Sequence, residues 1–341
     1  MQVLQLLGSE QMAIVEAPEP EPEGELVVVK VMASTICGSE APAYHAEGAL
    51  SERRRNGGHE AAGVVVRRAE GSRLQEGDRV TLYAMNKQEC GGCRHCLEGD
   101  WILCERPTRA HDGFSGTHAQ FVVRREKMCF ALPDAIGFDV GAVLLDCVGT
   151  PYRAIRRLGV SGADTVLITG QGPVGQSAAM ICKFLGARVI TAELNEARRA
   201  HGLGFGVDVA LNPAEDDVLR SVSDLTGGRG VDVAIDCTGL AEPQVLCLDA
   251  VATKGRVALV GVKATVETPL RVQDHLLMKE LTLIGSWYVS PSDYLGLLAL
   301  VERGLPVEQL ITHRFPLAEA AEAFRMSFGG GGSKVIIDPW G

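Results

Sequence analysis

The sequence predicts an α/β protein of two domains, one mostly β and one built on a doubly wound parallel sheet, and three observations carry that expectation. The chain has 341 residues, more than one core of ordinary size accommodates. Its first 150 residues read as short β-type runs separated by turns. Beyond them strand and helix signatures alternate, the pattern of parallel strands with helices packed on both faces.

In the first part, "ELVVVKVMAS", "GHEAAGVVVRRA", "GDRVTLYAM" and "HAQFVVRRE" lack helical periodicity and are bounded by turn residues, as strands of a compact β domain are. The 40 glycines of the chain fit a fold with many tight turns. From residue 151 onward, "DTVLIT" leads into "GQGPVGQSAAMICKFLGA", then "RVITAE" and the polar helical segment "LNEARRAHGLGF". "VDVAIDCTG" and "GRVALVGV" are further strands. The low-complexity "GGGGS" runs at once into "KVIIDPW" and reads as a long turn feeding a final strand.

Composition removes several function classes. With 46% hydrophobic and 22% charged residues the chain is globular rather than disordered. A formal net charge of −10 without a basic stripe argues against nucleic acid as a partner, because that affinity rests on clustered Lys and Arg. No basic stretch precedes an apolar one at the start, and no apolar run approaches the roughly 20 residues that span a bilayer. The expectation is a cytoplasmic protein without a membrane partner. Thiols stay reduced there, so clustered cysteines point to metal.

Such a cluster occupies about 88–106. Cys90, Cys93, Cys96 and Cys104 follow C-x2-C-x2-C-x7-C, and Gly91, Gly92 and Gly99 let the backbone bend around them. Four thiolates suit tetrahedral zinc, with Zn–S near ~2.3 Å and no open coordination position. A closed site of that kind is structural, so the chemistry has to come from elsewhere.

Part of it comes from "GQGPVG", in which Gly170, Gly172 and Gly175 flank Pro173 and Val174. The motif follows an apolar strand and opens a helix, the context of a dinucleotide fingerprint, in which a pyrophosphate meets the free N–H groups at the helix start. The next strand ends in Glu193, whose carboxylate can take both ribose hydroxyls and would repel a 2′-phosphate, which favours NAD over NADP. Arg198 and Arg199 follow closely and add positive charge there, and Arg198 is a further cofactor-side candidate.

The remaining candidates lie mostly before residue 150: Cys37 and Ser39 in "ICGSE", His59 and Glu60 in "GGHEAAG", Asp146 and Cys147 in "LLDCVGTPY". Together they offer one Cys, one His and an acid or a second thiol, a set suited to zinc with one position left open.

With these motifs in this order, the chain resembles the zinc-dependent medium-chain alcohol dehydrogenases and is similar to their polyol and threonine dehydrogenase branch. The resemblance implies a GroES-like catalytic domain made from both chain ends (1–150, with the zinc lobe, and 286–341) and a Rossmann domain over 151–285. It implies two zinc ions, NAD as cofactor, and a homodimer or homotetramer. Cys37 and His59 match the family's catalytic zinc ligands, and Glu60 the adjacent glutamate that can replace water on the metal. Counting back from Thr150 places the third ligand at Asp146, with Cys147 as its neighbouring alternative. Ser39 matches the residue that hydrogen-bonds the substrate hydroxyl and takes its proton. The usual relay histidine is replaced by Pro42, which leaves His45, Tyr44 or water to carry that proton out.

The implied reaction is hydride transfer between a secondary alcohol and NAD. With only 5% aromatic residues and a polar segment after Cys37, a polyol, sugar or aminocyclitol fits better than a long aliphatic alcohol. Arg53, Arg54 and Arg55 read as a solvated face. Threonine-type amino-alcohol oxidation, zinc-free enone or quinone reduction, and non-catalytic NAD binding are the alternatives.

Overall fold

The computed structural model describes residues 1–48, 50, 56–84, 87–109, 116–263 and 265–341. The arginine run 53–55 therefore lies outside the described residues. The chain divides into two compact units: Met1–Asp146 with Ser290–Ser292 and Ile311–Gly341, and Cys147–Val289 with Asp293–Leu310.

The first unit is built on a seven-stranded sheet. Its path runs Ile311–Pro316, Lys334–Asp338, Leu26–Thr35, Glu60–Arg68, Arg79–Leu82 and Cys129–Ala131, with Phe121–Arg125 also pairing Leu26–Thr35. All of these pairs are antiparallel except that between the two C-terminal strands. Val27, Val29 and Val31 are fully buried and meet Val65, Val80 and Val122 in one core. The C-terminal helix Ala320–Phe328 closes a second cluster, in which Phe324 packs with Leu4, Leu6, Tyr44 and Ile337. The "GGGGS" stretch turns the chain into strand Lys334–Asp338, as its sequence predicts.

The second unit holds six parallel strands in the spatial order Val209–Leu211, Arg188–Ala192, Thr165–Thr169, Val231–Asp236, Val251–Leu259, Thr282–Gly285. Numbered along the chain this is 3-2-1-4-5-6, the Rossmann order, in which ligands bind beyond the carboxyl ends of the strands. Leu167, Ile190, Ala234 and Val257 are buried in its core, as expected of strands covered on both faces. The third and sixth strands were not legible: Val209–Leu211 has three residues, and Thr282–Gly285 is a partly exposed edge. Neither is long enough to show a period.

One boundary differs from the sequence expectation. The chain rejoins the first unit for good at Ile311 rather than at 286, because helix Tyr294–Glu302 buries Tyr294, Leu297 and Leu300 within the second unit. Asp293, at its start, is buried there against the Arg153 and Arg156 guanidinium groups at 3.0 and 2.6 Å. Among the described residues, no helix is long and apolar enough to cross a membrane.

The closest backbone approach in the first sheet is at Gly63, where an added Cβ would lie 2.0 Å from the Lys30 carbonyl oxygen. Gly63→Ala should therefore destabilise the first unit by about 1–3 kcal/mol, read as a lower melting temperature; an unchanged melt would show that the strands can separate there at no cost.

Candidate active site and metal centres

The four cysteines of the lobe converge. Cys93 and Cys96 sulfurs are 3.4 Å apart, and the Cys90–Cys96 and Cys93–Cys104 pairs are at 4.0 Å. Four sulfurs at ~2.3 Å from one tetrahedral zinc would be separated by roughly 3.8 Å, so the thiols fit that ion. Amide N–H groups of Gly92 and Cys93, helped by the neighbouring thiols, pull the Cys90 thiol down to about 6. That favours the thiolate a metal requires. All ten cysteines are free, in keeping with metal rather than disulfide chemistry in the lobe.

A second convergence brings together Cys37, His59, Glu60 and Asp146, whose ligand atoms all lie within 4.8 Å of one another. Cys37 follows strand Leu26–Thr35, and Glu60 opens strand Glu60–Arg68, immediately after His59. Asp146 arrives from a π-helical turn, Leu144–Val148. Such widened turns redirect side chains and recur at functional sites. Here consecutive residues diverge. Asp146 Oδ2 lies 2.9 Å from His59 Nε2 and 3.7 Å from Cys37 Sγ, whereas Cys147 is buried with its sulfur 3.3 Å from Ser177 Oγ. Of the two candidates, only Asp146 belongs to the cluster.

The electrostatics of the cluster call for a cation. Burial disfavours a charged His59, yet Cys37 and Asp146 outweigh it and hold the imidazolium well above its ordinary range. Glu60 is fully buried, and burial lifts its carboxyl to about 7 although the Lys334 ammonium pulls the other way. Its Oε2 accepts from the Thr35 hydroxyl and the Lys334 ammonium. Its Oε1 is buried with no hydrogen-bond partner. An orphaned carboxylate oxygen beside a Cys, a His and an Asp is the donor set of a zinc site.

Lys334 escaped the sequence reading. It is 1% exposed and also donates to the Ile36 carbonyl at 3.0 Å, so the last strand supplies the only lysine paired to the cluster among the described residues. Two further buried residues were missed. Glu40 accepts the Cys37 amide at 3.0 Å and the Gly58 amide at 2.7 Å, and His118 Nε2 lies 3.2 Å from Glu40 Oε1. Burial alone would raise the Glu40 carboxyl, but His118, His59 and the Cys37 amide bring it down to about 2. Neither residue carries a spacing signal.

Ser39 sits exposed on the turn Gly38–Glu40 after Cys37. His45, a relay candidate, pairs instead with Glu10 at 3.0 Å on the surface, and Tyr44 packs against Phe324 and Phe328.

In the second unit the glycine-rich turn ends strand Thr165–Thr169 and opens helix Pro173–Phe184. A Cβ on Gly175 would lie 1.9 Å from the Gly170 carbonyl oxygen, whereas nothing stands within 4 Å of the same position on Gly172. Gly175 serves packing and Gly172 leaves room for a ligand, the division a dinucleotide turn needs. Val174 and Pro173 lie in the helix's first turn, whose start has no side-chain cap, so its N–H groups are free for an anion. Glu193 Oε2 accepts the Gln171 amide at 2.6 Å and Oε1 the Asn195 amide at 2.9 Å. The carboxylate thus bridges the first two strand ends. Arg199 caps the Glu193 and Leu194 carbonyls at 2.9 and 2.5 Å, while Arg198 Nε is buried without a hydrogen-bond partner.

Comparison with known proteins follows the same division. Residues 173–303 match the zinc-binding dehydrogenase family and residues 23–134 the alcohol dehydrogenase GroES-like domain. The chain is similar to the uncharacterized zinc-type alcohol dehydrogenase-like protein YphC of Escherichia coli K12, at 34% identity over 348 residues covering 98% of this chain and 97% of the relative. It is 30% identical to a sorbitol dehydrogenase of Halalkalibacterium halodurans over 339 residues, 97% of each. A solved NAD-dependent alcohol dehydrogenase superposes with a TM-score of 0.83 at 27% identity, covering 99% of both chains.

Removing the Lys334 cation would leave the buried Glu60 Oε2 with the Thr35 hydroxyl as its hydrogen-bond donor and no ammonium beside it. Lys334→Met should destabilise the first unit by about 3 kcal/mol, read in thermal or denaturant unfolding; a loss close to zero would mean that the pair contributes no net stability.

Proposed function

The chain belongs to the zinc-dependent medium-chain alcohol dehydrogenase family, in the branch of the polyol and threonine dehydrogenases, and on that premise we propose that it oxidises a secondary alcohol of the polyol, sugar or aminocyclitol type with NAD. One observation carries the reading: Cys37, His59, Glu60 and Asp146 bring ligand atoms within 4.8 Å of one another, and one Glu60 oxygen is buried without a hydrogen-bond partner. When bound there, zinc supplies Lewis acidity, and the nicotinamide supplies a hydride acceptor.

The chain's own groups do the rest. Cys37, His59 and Asp146 hold the metal, and each must give up its proton or its mutual hydrogen bond to do so, which makes metal affinity fall as pH falls. Lys334 fixes Glu60 through one carboxylate oxygen and leaves the other without a hydrogen-bond partner. The exposed Ser39 hydroxyl accepts the proton of the substrate hydroxyl and returns it to water, with His45 occupied by Glu10. Gly170, Gly172 and the start of helix Pro173–Phe184 take the pyrophosphate, and Glu193 the ribose hydroxyls. Cys90, Cys93, Cys96 and Cys104 hold a second, structural zinc. The sorbitol dehydrogenase relative and the low aromatic content support a hydroxylated substrate.

We also infer a homodimer or homotetramer. The exposed edge strand Thr282–Gly285 and the neighbouring Leu277 and Met278, at 68% and 69% exposure, support self-association. The free cysteines fit a cytoplasmic setting.

Asp146→Ala should lower kcat at least about a hundredfold and remove one equivalent of zinc while NAD still binds; kcat close to wild type would overturn the ligand assignment. Because juxtaposing a carboxylate with a 2′-phosphate costs several kcal/mol, kcat/KM with NAD should exceed that with NADP by about tenfold or more. The reverse preference would remove Glu193 from the ribose site.

A further inference from the structure

Behind the candidate metal ligands lies a buried polar chain that no step of the reaction uses. Glu40 is 7% exposed and His118 fully buried. The Glu40 carboxylate accepts from two backbone amides on separate turns: that of Cys37 and that of Gly58, the residue before His59. On its far side His118 Nε2 stands 3.2 Å from Oε1, a charge contact without hydrogen-bond geometry, and His118 Nδ1 is 2.8 Å from Ser34 Oγ. Ser34 Oγ continues to Thr117 Oγ1 at 2.9 Å and donates to the Glu60 carbonyl at 3.2 Å.

The surroundings leave this chain little freedom. A Cβ on Gly57 would come within 3.1 Å of Glu40 Oε1 and 3.2 Å of the His118 ring, and one on Gly58 within 2.5 Å of Thr117 Oγ1. Gly58 also has φ +88, which side-chain-bearing residues rarely adopt. The backbone that carries His59 is therefore pressed directly onto the carboxylate and the imidazole.

We infer that Glu40 and His118 are a positioning pair: the carboxylate holds the Cys37 and Gly58 turns at a fixed separation, and the imidazole, anchored on Ser34, confines the carboxylate by charge and packing. The inference rests on the reading of Cys37, His59 and Asp146 as zinc ligands. Its physical basis is that two buried amide donors with a single acceptor cannot move apart without one going unsatisfied, and that ligand atoms displaced by fractions of an ångström bind metal less well. A glutamine at position 40 keeps one carbonyl oxygen for one amide but turns an NH2 toward the other N–H or toward His118.

The test measures metal rather than turnover. Zinc retention is followed by chelator competition in full-length wild type, Glu40→Gln, His118→Asn and the double variant, and the second site is then loaded with cobalt for its ligand-field spectrum. Each single variant should weaken the second zinc by about 10- to 100-fold, shift the cobalt bands, and leave the four-cysteine zinc in place. The double variant should be no weaker than the worse single one, because the two residues act as a unit. Retention within about threefold of wild type with unchanged cobalt bands, in both single variants, overturns the inference while the metal reading stands. If Glu40→Gln does not fold, His118→Asn decides by the same thresholds. A wild type that holds one zinc, lost on Cys93→Ser, overturns this inference together with the reading beneath it.

Discussion

A buried carboxylate needs a positive partner, and the first unit is arranged around how Glu60 obtains one. Lys334 reaches it from the last strand, 274 residues away in the chain, and satisfies one oxygen only. The other is buried without a hydrogen-bond partner, and the carboxylate stands among a thiol, an imidazole and a second carboxylate. Three potential anions around one imidazole is an arrangement that proton sharing alone holds at a cost. The raised His59 and Glu60 affinities for protons are the sign of that cost. A divalent cation would remove it, so the same carboxylate that ties the last strand to the sheet also suits a metal.

Several backbone devices exist to sustain that crowding. The π-helical turn at Leu144–Val148 sends Asp146 to the cluster while Cys147 stays with the second unit's core. Glycines at 57 and 58 let the His59 strand lie against Glu40 and His118 with no room for a side chain. In the second unit the same logic serves an anionic ligand: Glu193 ties the glycine-rich turn to the next strand end through two amides, and the uncapped helix start is left for a phosphate. Each site thus keeps one unsatisfied group: the Glu60 Oε1 oxygen in the first unit and the uncapped helix start in the second.

What the sequence revealed depended on the range over which each signal acts. The four cysteines sit within fifteen residues, and the glycine-rich turn lies between a strand and a helix, so local spacing announced both. The Rossmann strands of five or more residues were readable for the same reason, while the three-residue strand Val209–Leu211 was not. Cys37, His59 and Asp146 are far apart in the chain, and only their agreement with a family pattern joined them. Glu40, His118 and Lys334 had neither kind of signal. Charged residues ordinarily lie on the surface, and nothing near them in sequence marks them as buried; their role exists only once distant strands meet. The domain boundary slipped for a related reason: Asp293 anchors its helix through arginines some 140 residues earlier.

The central claim is a zinc ion of mixed ligation beside the all-sulfur one, and zinc-edge X-ray absorption on the wild-type protein tests it most directly. With Cys90, Cys93, Cys96 and Cys104 on one ion and Cys37, His59 and Asp146 on the other, the mean shell should hold about 2.5 sulfurs per zinc, the remainder being nitrogen and oxygen at ~2.0–2.2 Å. A shell of about four sulfurs with no lighter ligand, in protein fully loaded with zinc, would contradict it.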